Sequence, residues 1–191
     1  MSVRDEEFKA VIKQKLDEYR YHHSLCVADS ARALAKKYGA DAEKAYTAGL
    51  LHDVTKNASK EEHASLCKKY NLELTPLEAT SPKLWHAMTG ALFVEYELGV
   101  SDEEIITAVR YHTTGRANMS LLEKVIFTAD FISADRSYSG VEEMRVFAQN
   151  SLEQAMLEGL KFTIKELMDA NRAIHPDTLS AYNDIVMKGM E

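Results

Sequence analysis

The residues in this chain best placed to do chemistry are a histidine and an aspartate side by side, His52 and Asp53, which follow the apolar run Ala48-Gly-Leu-Leu51. An imidazole nitrogen beside a carboxylate oxygen suits a hydrolytic transition metal, pairing a borderline ligand with a hard one. Further candidates flank the pair: His23 upstream, and His86, His112 and Asp130 downstream. Taken singly, each of these histidines reads as a hydrogen-bonded core residue. Taken as a series, in a chain with only seven histidines, they supply enough ligands for two metal ions in one site. Asp130 lies in the apolar setting Phe127-Thr-Ala-Asp-Phe-Ile132, where an unpaired carboxylate is costly and a metal is one partner that satisfies it. Ions about 3.5–4 Å apart share a bridging water, lower its pKa and grip phosphoryl oxygens. His52 and Asp53, ~100° apart around a helix, can point to neighbouring metal positions, and a carboxylate can bridge two ions. The expected chemistry is metal-dependent hydrolysis.

The elements that hold these residues read as helices throughout. Phe8, Val11, Ile12, Leu16 and Tyr19 repeat at helical spacing and predict an opening amphipathic helix. A second run reaches Tyr38 and stops at Gly39, and Asp41 caps a third that carries His52 and Asp53 near its end. Ser59 with Glu62, Ser101 with Glu104 and Ser120 with Glu123 read as capping boxes. Ser81-Pro82 opens a helix that ends at Gly99. A long helix runs from Ser151 to about Arg172, and His175-Pro176-Asp177 starts the last one. Alternating β patterns, glycine-rich phosphate loops and repeats are missing. The prediction is an all-α bundle of nine or ten helices, a single domain over residues 1–191, with residues 71–83 its most irregular stretch.

Hydrophobic content of 46% and charged content of 28% fit an ordinary folded chain. A formal net charge of −7 argues against a protein that grips nucleic acid through its backbone, yet bound divalent cations would reverse the local sign for a nucleotide substrate. No apolar run approaches the ~18 residues of a membrane span, the polar N-terminus lacks a secretory signal, and Cys26 and Cys67 are too few for a disulfide framework. The expectation is a cytoplasmic enzyme with no membrane or nucleic-acid partner, and with homodimerisation through the long C-terminal helix left open.

Arg20-Tyr-His-His23-Ser24, His52-Asp53-Val-Thr-Lys56, His86, His112-Thr-Thr-Gly115 and Ala129-Asp130 together resemble the HD-domain metal phosphohydrolases. The Arg-x-x-His-Ser opening, the step to Lys56 and the segment Ala129-Asp-Phe-Ile-Ser-Ala-Asp-Arg136 resemble the bacterial YqeK-type group, which cleaves diadenosine tetraphosphate symmetrically into two ADP. The resemblance implies that His23, His52, Asp53 and Asp130 hold one metal, and Asp53, His86 and His112 the other. It implies iron, divalent or mixed-valent; manganese, cobalt or zinc also suits such donors. His52 and Asp53 then serve catalysis, together with Lys56.

Lys56 falls one helical turn past His52 if the helix continues, where it can meet substrate phosphate as a point charge. Arg136 and Arg20 are candidate phosphate clamps. Thr113 and Thr114 can offer hydroxyls to phosphate or ribose, and His22 stands beside His23 within reach of substrate. His63 and His175 are expected at the surface or in local hydrogen bonds. Other readings of the same residues are a nucleotidase or dNTP phosphohydrolase of the HD type, a non-catalytic nucleotide-binding module, and a di-iron oxygenase.

Overall fold

Asp17 splits the opening helix that the apolar spacing predicts. The structure, a computed structural model describing residues 3–189, has α1 over Val3–Lys15 and α2 over Glu18–Tyr38. Phe8, Ile12 and Leu16 are buried as expected, but Tyr19 belongs to α2 and is 56% exposed. Asp17 sits in extended backbone before α2, and its carboxylate accepts from the Arg20 amide at 2.8 Å. Satisfying one orphan amide in this way is worth about 1 kcal/mol. Asn57 donates to the same carboxylate at 2.8 Å, which ties the start of α2 to the segment just past Asp53.

The remaining helices are α3 (Ala42–Leu51), α4 (Lys60–Lys69), α5 (Pro76–Ala79), α6 (Trp85–Leu92), α7 (Glu103–Tyr111), α8 (Leu121–Ile132), α9 (Val141–Asn150), α10 (Leu152–Asp169) and α11 (Pro176–Lys188). A 3-10 turn at Pro82–Leu84 leads into α6, and a π turn at Phe93–Glu97 follows it. The described residues contain eleven α-helices and no strand, one helix above the expected range because the irregular stretch holds the four-residue α5. Asp41, Ser59 and Ser120 cap as predicted. Ser101 does not: Asp102 caps α7 by accepting from the Glu104 amide at 3.0 Å. Ser81 makes no side-chain cap either, which leaves the entry to α6 as a tight turn.

α2 lies at the centre, with α3 and α8 against it, and α7 closes on α3, α6 and α8. Gly49 allows the closest approach. A Cβ there would stand 2.8 Å from Ala28 Cα, so any side chain at this position pushes α3 off α2 and moves the residues that end α3. Fully buried small residues, Ala28, Ala31, Ala45 and Ala48, continue the same seam. The C-terminal helices pack onto this bundle: Met119, Phe127, Met156, Leu160 and Ala181 form a second apolar cluster joining α8, α10 and α11. No described helix is long and apolar enough to cross a membrane.

His63 lies deeper than a surface histidine would. It is buried, and its Nδ1 donates to Thr89 Oγ1 at 2.8 Å, because that hydroxyl sends its own proton to the Trp85 carbonyl at 2.8 Å. Burial pushes its pKa below the ordinary 6.5. The unfolded chain then binds the extra proton first, so this residue's contribution is intact above the unfolded pKa and is lost as pH falls below it. We expect Tm to decline between about pH 7 and about pH 5, and His63→Gln to decline less steeply over that interval; equal slopes would refute the assignment. His175 is the predicted local bonder, capping α11 through the Asp177 amide at 3.2 Å.

Candidate metal centre

The helix carrying the His-Asp pair stops earlier than the sequence suggests. α3 ends at Leu51, and tight turns follow, with Val54 N on Leu51 O at 3.1 Å and Lys56 N on Asp53 O at 2.8 Å. These turns roll His52 and Asp53 inward, where both are buried. Lys56 is therefore not one helical turn past His52. It reaches the same place by another route, with Nζ 3.0 Å from His86 Nε2 and 3.4 Å from Asp53 Oδ1. His23 comes from the middle of α2, His86 from the start of α6, His112 from just past α7, and Asp130 from α8.

Hydrogen bonds on the far ring nitrogens aim the near ones. His52 Nδ1 lies 2.7 Å from Gly49 O and His112 Nδ1 lies 2.7 Å from Val109 O. A carbonyl only accepts, so both Nδ1 atoms donate and each ring turns its Nε2 into the centre. His86 Nε2 lies 3.1 Å from His112 Nε2 and 3.2 Å from Asp53 Oδ1. His23 Nε2 faces Asp130 Oδ1 at 3.0 Å.

Such a gathering of acceptors wants a cation. His52 Nε2 and Asp53 Oδ1 are buried without a well-aligned hydrogen bond. Two sets of donor atoms lie close enough to hold an ion, His23 with His52 and Asp130, and His52 with Asp53 and His112. Burial pushes His52 down to about 3 and His86 down to about 4, so both are neutral donors at physiological pH. Burial also opposes ionisation of Asp53 and Asp130. The imidazoles and Lys56 around the first, and His23 and Arg136 around the second, nonetheless hold both well below the usual carboxylate range. His23 departs from His52 and His86 in direction. Burial works against its proton, but Asp130 and Asp135 raise its pKa.

The chain as a whole is similar to known proteins. A model of the HD domain matches residues 20–135, a span that holds all six ligand candidates. The chain belongs to the HD-domain family. The HD-domain relatives include the symmetrical bis(5'-nucleosyl)-tetraphosphatase of Bacillus subtilis (strain 168), 43% identical over 95% of this chain and 97% of that protein. The protein of the same name from Staphylococcus aureus (strain NCTC 8325 / PS 47) is 36% identical over 93% of this chain and 92% of its own length. A solved HD superfamily hydrolase from Clostridium acetobutylicum, described as involved in NAD metabolism, superposes with a TM-score of 0.93. It is 37% identical and covers 96% of this chain and 97% of its own.

Three cations line the rim of this HD-domain centre. Arg20 Nη1 donates to Asp53 Oδ2 at 3.2 Å, Lys56 contacts Asp53 Oδ1, and Arg136 holds Asp130 through side chain and backbone. Their side chains are 26%, 29% and 27% exposed, so each reaches both the carboxylates and the solvent. Thr113 Oγ1 sits 3.2 Å from His86 Nε2 and 3.0 Å from His112 Nε2. The structure does not bring Thr114 or His22 to the centre: the Thr114 hydroxyl donates to Gly115 O, and His22 is exposed with its Nε2 on Cys26 Sγ at 3.5 Å.

Two residues at the HD-domain centre escape a reading based on ligand spacing. Asp135 Oδ2 lies 2.8 Å from His23 Nδ1; its signal was a second aspartate beside Arg136, five residues past Asp130. Tyr19 stands at the mouth with its ring nearly parallel to that of His23, centroids 6.4 Å apart, and with the Arg20 guanidinium 5.4 Å from its own centroid. Its place in an apolar repeat pointed to the core and hid this one.

Proposed function

We propose that the protein hydrolyses dinucleoside tetraphosphates, diadenosine tetraphosphate foremost, by symmetrical cleavage into two nucleoside diphosphates. The observation that carries this reading is the cluster of four buried imidazoles, the buried Asp53 and the half-buried Asp130, with three cations at its rim, in a chain whose full-length relatives bear that activity in their names. Two cations fit the donors. His23, His52, Asp53 and Asp130 would hold one, with Asp53, His86 and His112 holding the other. Mixed histidine and carboxylate donors suit first-row transition metals, and iron is the metal proposed, with manganese, cobalt or zinc accepted by the same set. Such a pair lowers the pKa of bound water and stabilises the attacking and leaving oxygens of an in-line displacement.

The chain's own groups do the rest. Arg20 and Arg136 present planar forks suited to phosphoryl oxygens, and Lys56 adds a point charge beside Asp53. Thr113 offers a hydroxyl between His86 and His112. The acidic net charge of −7 is thereby offset where a polyanion must bind. Both cysteines are free thiols, in keeping with a reducing cytoplasm.

Lys56→Ala tests the assignment to substrate. Metal content is expected to stay as in the unaltered protein while kcat/KM falls by about 10–100-fold, the equivalent of ~1.4–2.7 kcal/mol of lost charge-assisted contact. Loss of metal in this variant would place Lys56 in the support of His86 instead. The function itself is tested by chromatography of products after the metal-loaded protein meets diadenosine tetraphosphate, ATP, dATP and AMP separately. ADP as sole product of the dinucleotide is the expected result. ATP with AMP, or turnover of the mononucleotides alone, would overturn the substrate assignment.

A further inference from the structure

Behind His23 the fold has built a support that the other rings of the centre lack. His52 and His112 donate Nδ1–H to carbonyls three residues earlier in their own chain segments. His23 donates instead to a carboxylate 112 residues away, Asp135 Oδ2 at 2.8 Å. The Asp135 side chain is 6% exposed and that of His23 is fully buried. A carboxylate in this position fixes which ring nitrogen carries the proton, orients the ring, and makes the opposite nitrogen a stronger donor to a cation. The opposite nitrogen here is the one facing Asp130.

The turn carrying Asp135 is held rigid from outside. Arg145 of α9 donates to three of its carbonyls, Ile132 O at 3.1 Å, Ser133 O at 2.9 Å and Arg136 O at 3.0 Å. The Arg136 amide closes the turn on Ser133 O at 3.0 Å. Neighbouring residues of one clamped turn therefore reach two members of the same donor set, Asp135 to His23 and Arg136 to Asp130.

We propose that Asp135 is a positioning residue: it sets the tautomer and basicity of His23, and through them the affinity of the ion site built on His23, His52 and Asp130. The ion site built on Asp53, His86 and His112 has no contact with Asp135 and keeps its affinity without it. This inference rests on the two-ion reading above and adds that one carboxylate tunes the two sites unequally.

The test is a titration of the metal-free protein with Co²⁺, whose visible bands and competition with a chelator give the stoichiometry and both dissociation constants. For Asp135→Ala one constant is expected to rise by ~100-fold and the other to stay within about twofold; for Asp135→Asn, which keeps an accepting oxygen but no charge, the rise is ~10-fold. Asp135→Glu recovers part of the loss. In the metal-free protein, proton NMR reads the bond directly: a far-downfield Nδ1 proton, absent in His23→Ala, disappears in Asp135→Ala. Equal weakening of both sites would make the role structural and overturn the proposal, as would unchanged constants. If Asp135→Ala does not fold, unchanged constants in Asp135→Asn together with a retained downfield proton would overturn it. Fewer than two ions in the unaltered protein would defeat the two-ion reading and this inference with it, a result distinct from two ions bound with no effect of Asp135.

Discussion

Asp53→Ala is expected to lower kcat by more than ~10³-fold, well beyond the 10–100-fold that loss of a residue behind a ligand costs. Asp53 is the common neighbour of the whole centre: Arg20, Lys56, His86, His112 and His52 all lie within 3.7 Å of its two oxygens. Alanine removes every one of these contacts together with the carboxylate proposed to touch both ions. The fold should survive, because the cations left behind, Arg20 and Lys56, are each more than a quarter exposed and can turn to water. His52→Ala is expected to match it, since His52 belongs to both sets of donor atoms. Steady-state kinetics, metal analysis and circular dichroism are the checks. Full turnover in either variant, with native helicity, would sink the centre as the seat of catalysis.

Stripping metal with a chelator should abolish turnover and lower Tm together. Any ligand that binds only the folded chain adds stability as RT ln(1 + [L]/Kd), which is about 4 kcal/mol per ion at a concentration 1,000-fold above Kd. In a chain of this size that corresponds to ~8–16 °C in Tm. The physical origin is visible in the donors: His52 Nε2 and Asp53 Oδ1 are buried with no aligned partner, and two imidazole nitrogens meet at 3.1 Å. Re-addition of Fe²⁺ or Mn²⁺ should restore both properties in parallel, as read by calorimetry and product release. Restored activity with no recovery in Tm would show that the ions bind folded and unfolded chain alike.

The candidate ligand series could be read from the chain because metal chemistry constrains residue type, and helices space those types along the sequence in separate runs. His23, His52, Asp53, His86, His112 and Asp130 converge although they arise from five helices or their ends. Most helix ends were equally readable, since an Asp or Ser at the start answers local amide demand and needs no partner from afar. Asp41, Ser59 and Ser120 behave this way. Where the reading failed, two local signals competed. The apolar repeat through Leu16 to Tyr19 outvoted the cap at Asp17, and Ser101 masked the stronger neighbour Asp102.

What the sequence determined by itself, then, was the all-helical class, the HD-domain family and the set of His and Asp side chains that gather at one centre, because each depends on residue type and short-range periodicity. Only the tertiary structure decided which groups support those ligands and which face the mouth. The turns after Leu51 bring Lys56 to His86, the clamp by Arg145 steadies the turn from which Asp135 meets His23, and Gly115 takes up the hydroxyl of Thr114. Partners 30 or 112 residues apart leave no periodic trace, because hydrogen-bond geometry across helices depends on packing angles and turn shapes that no local window contains.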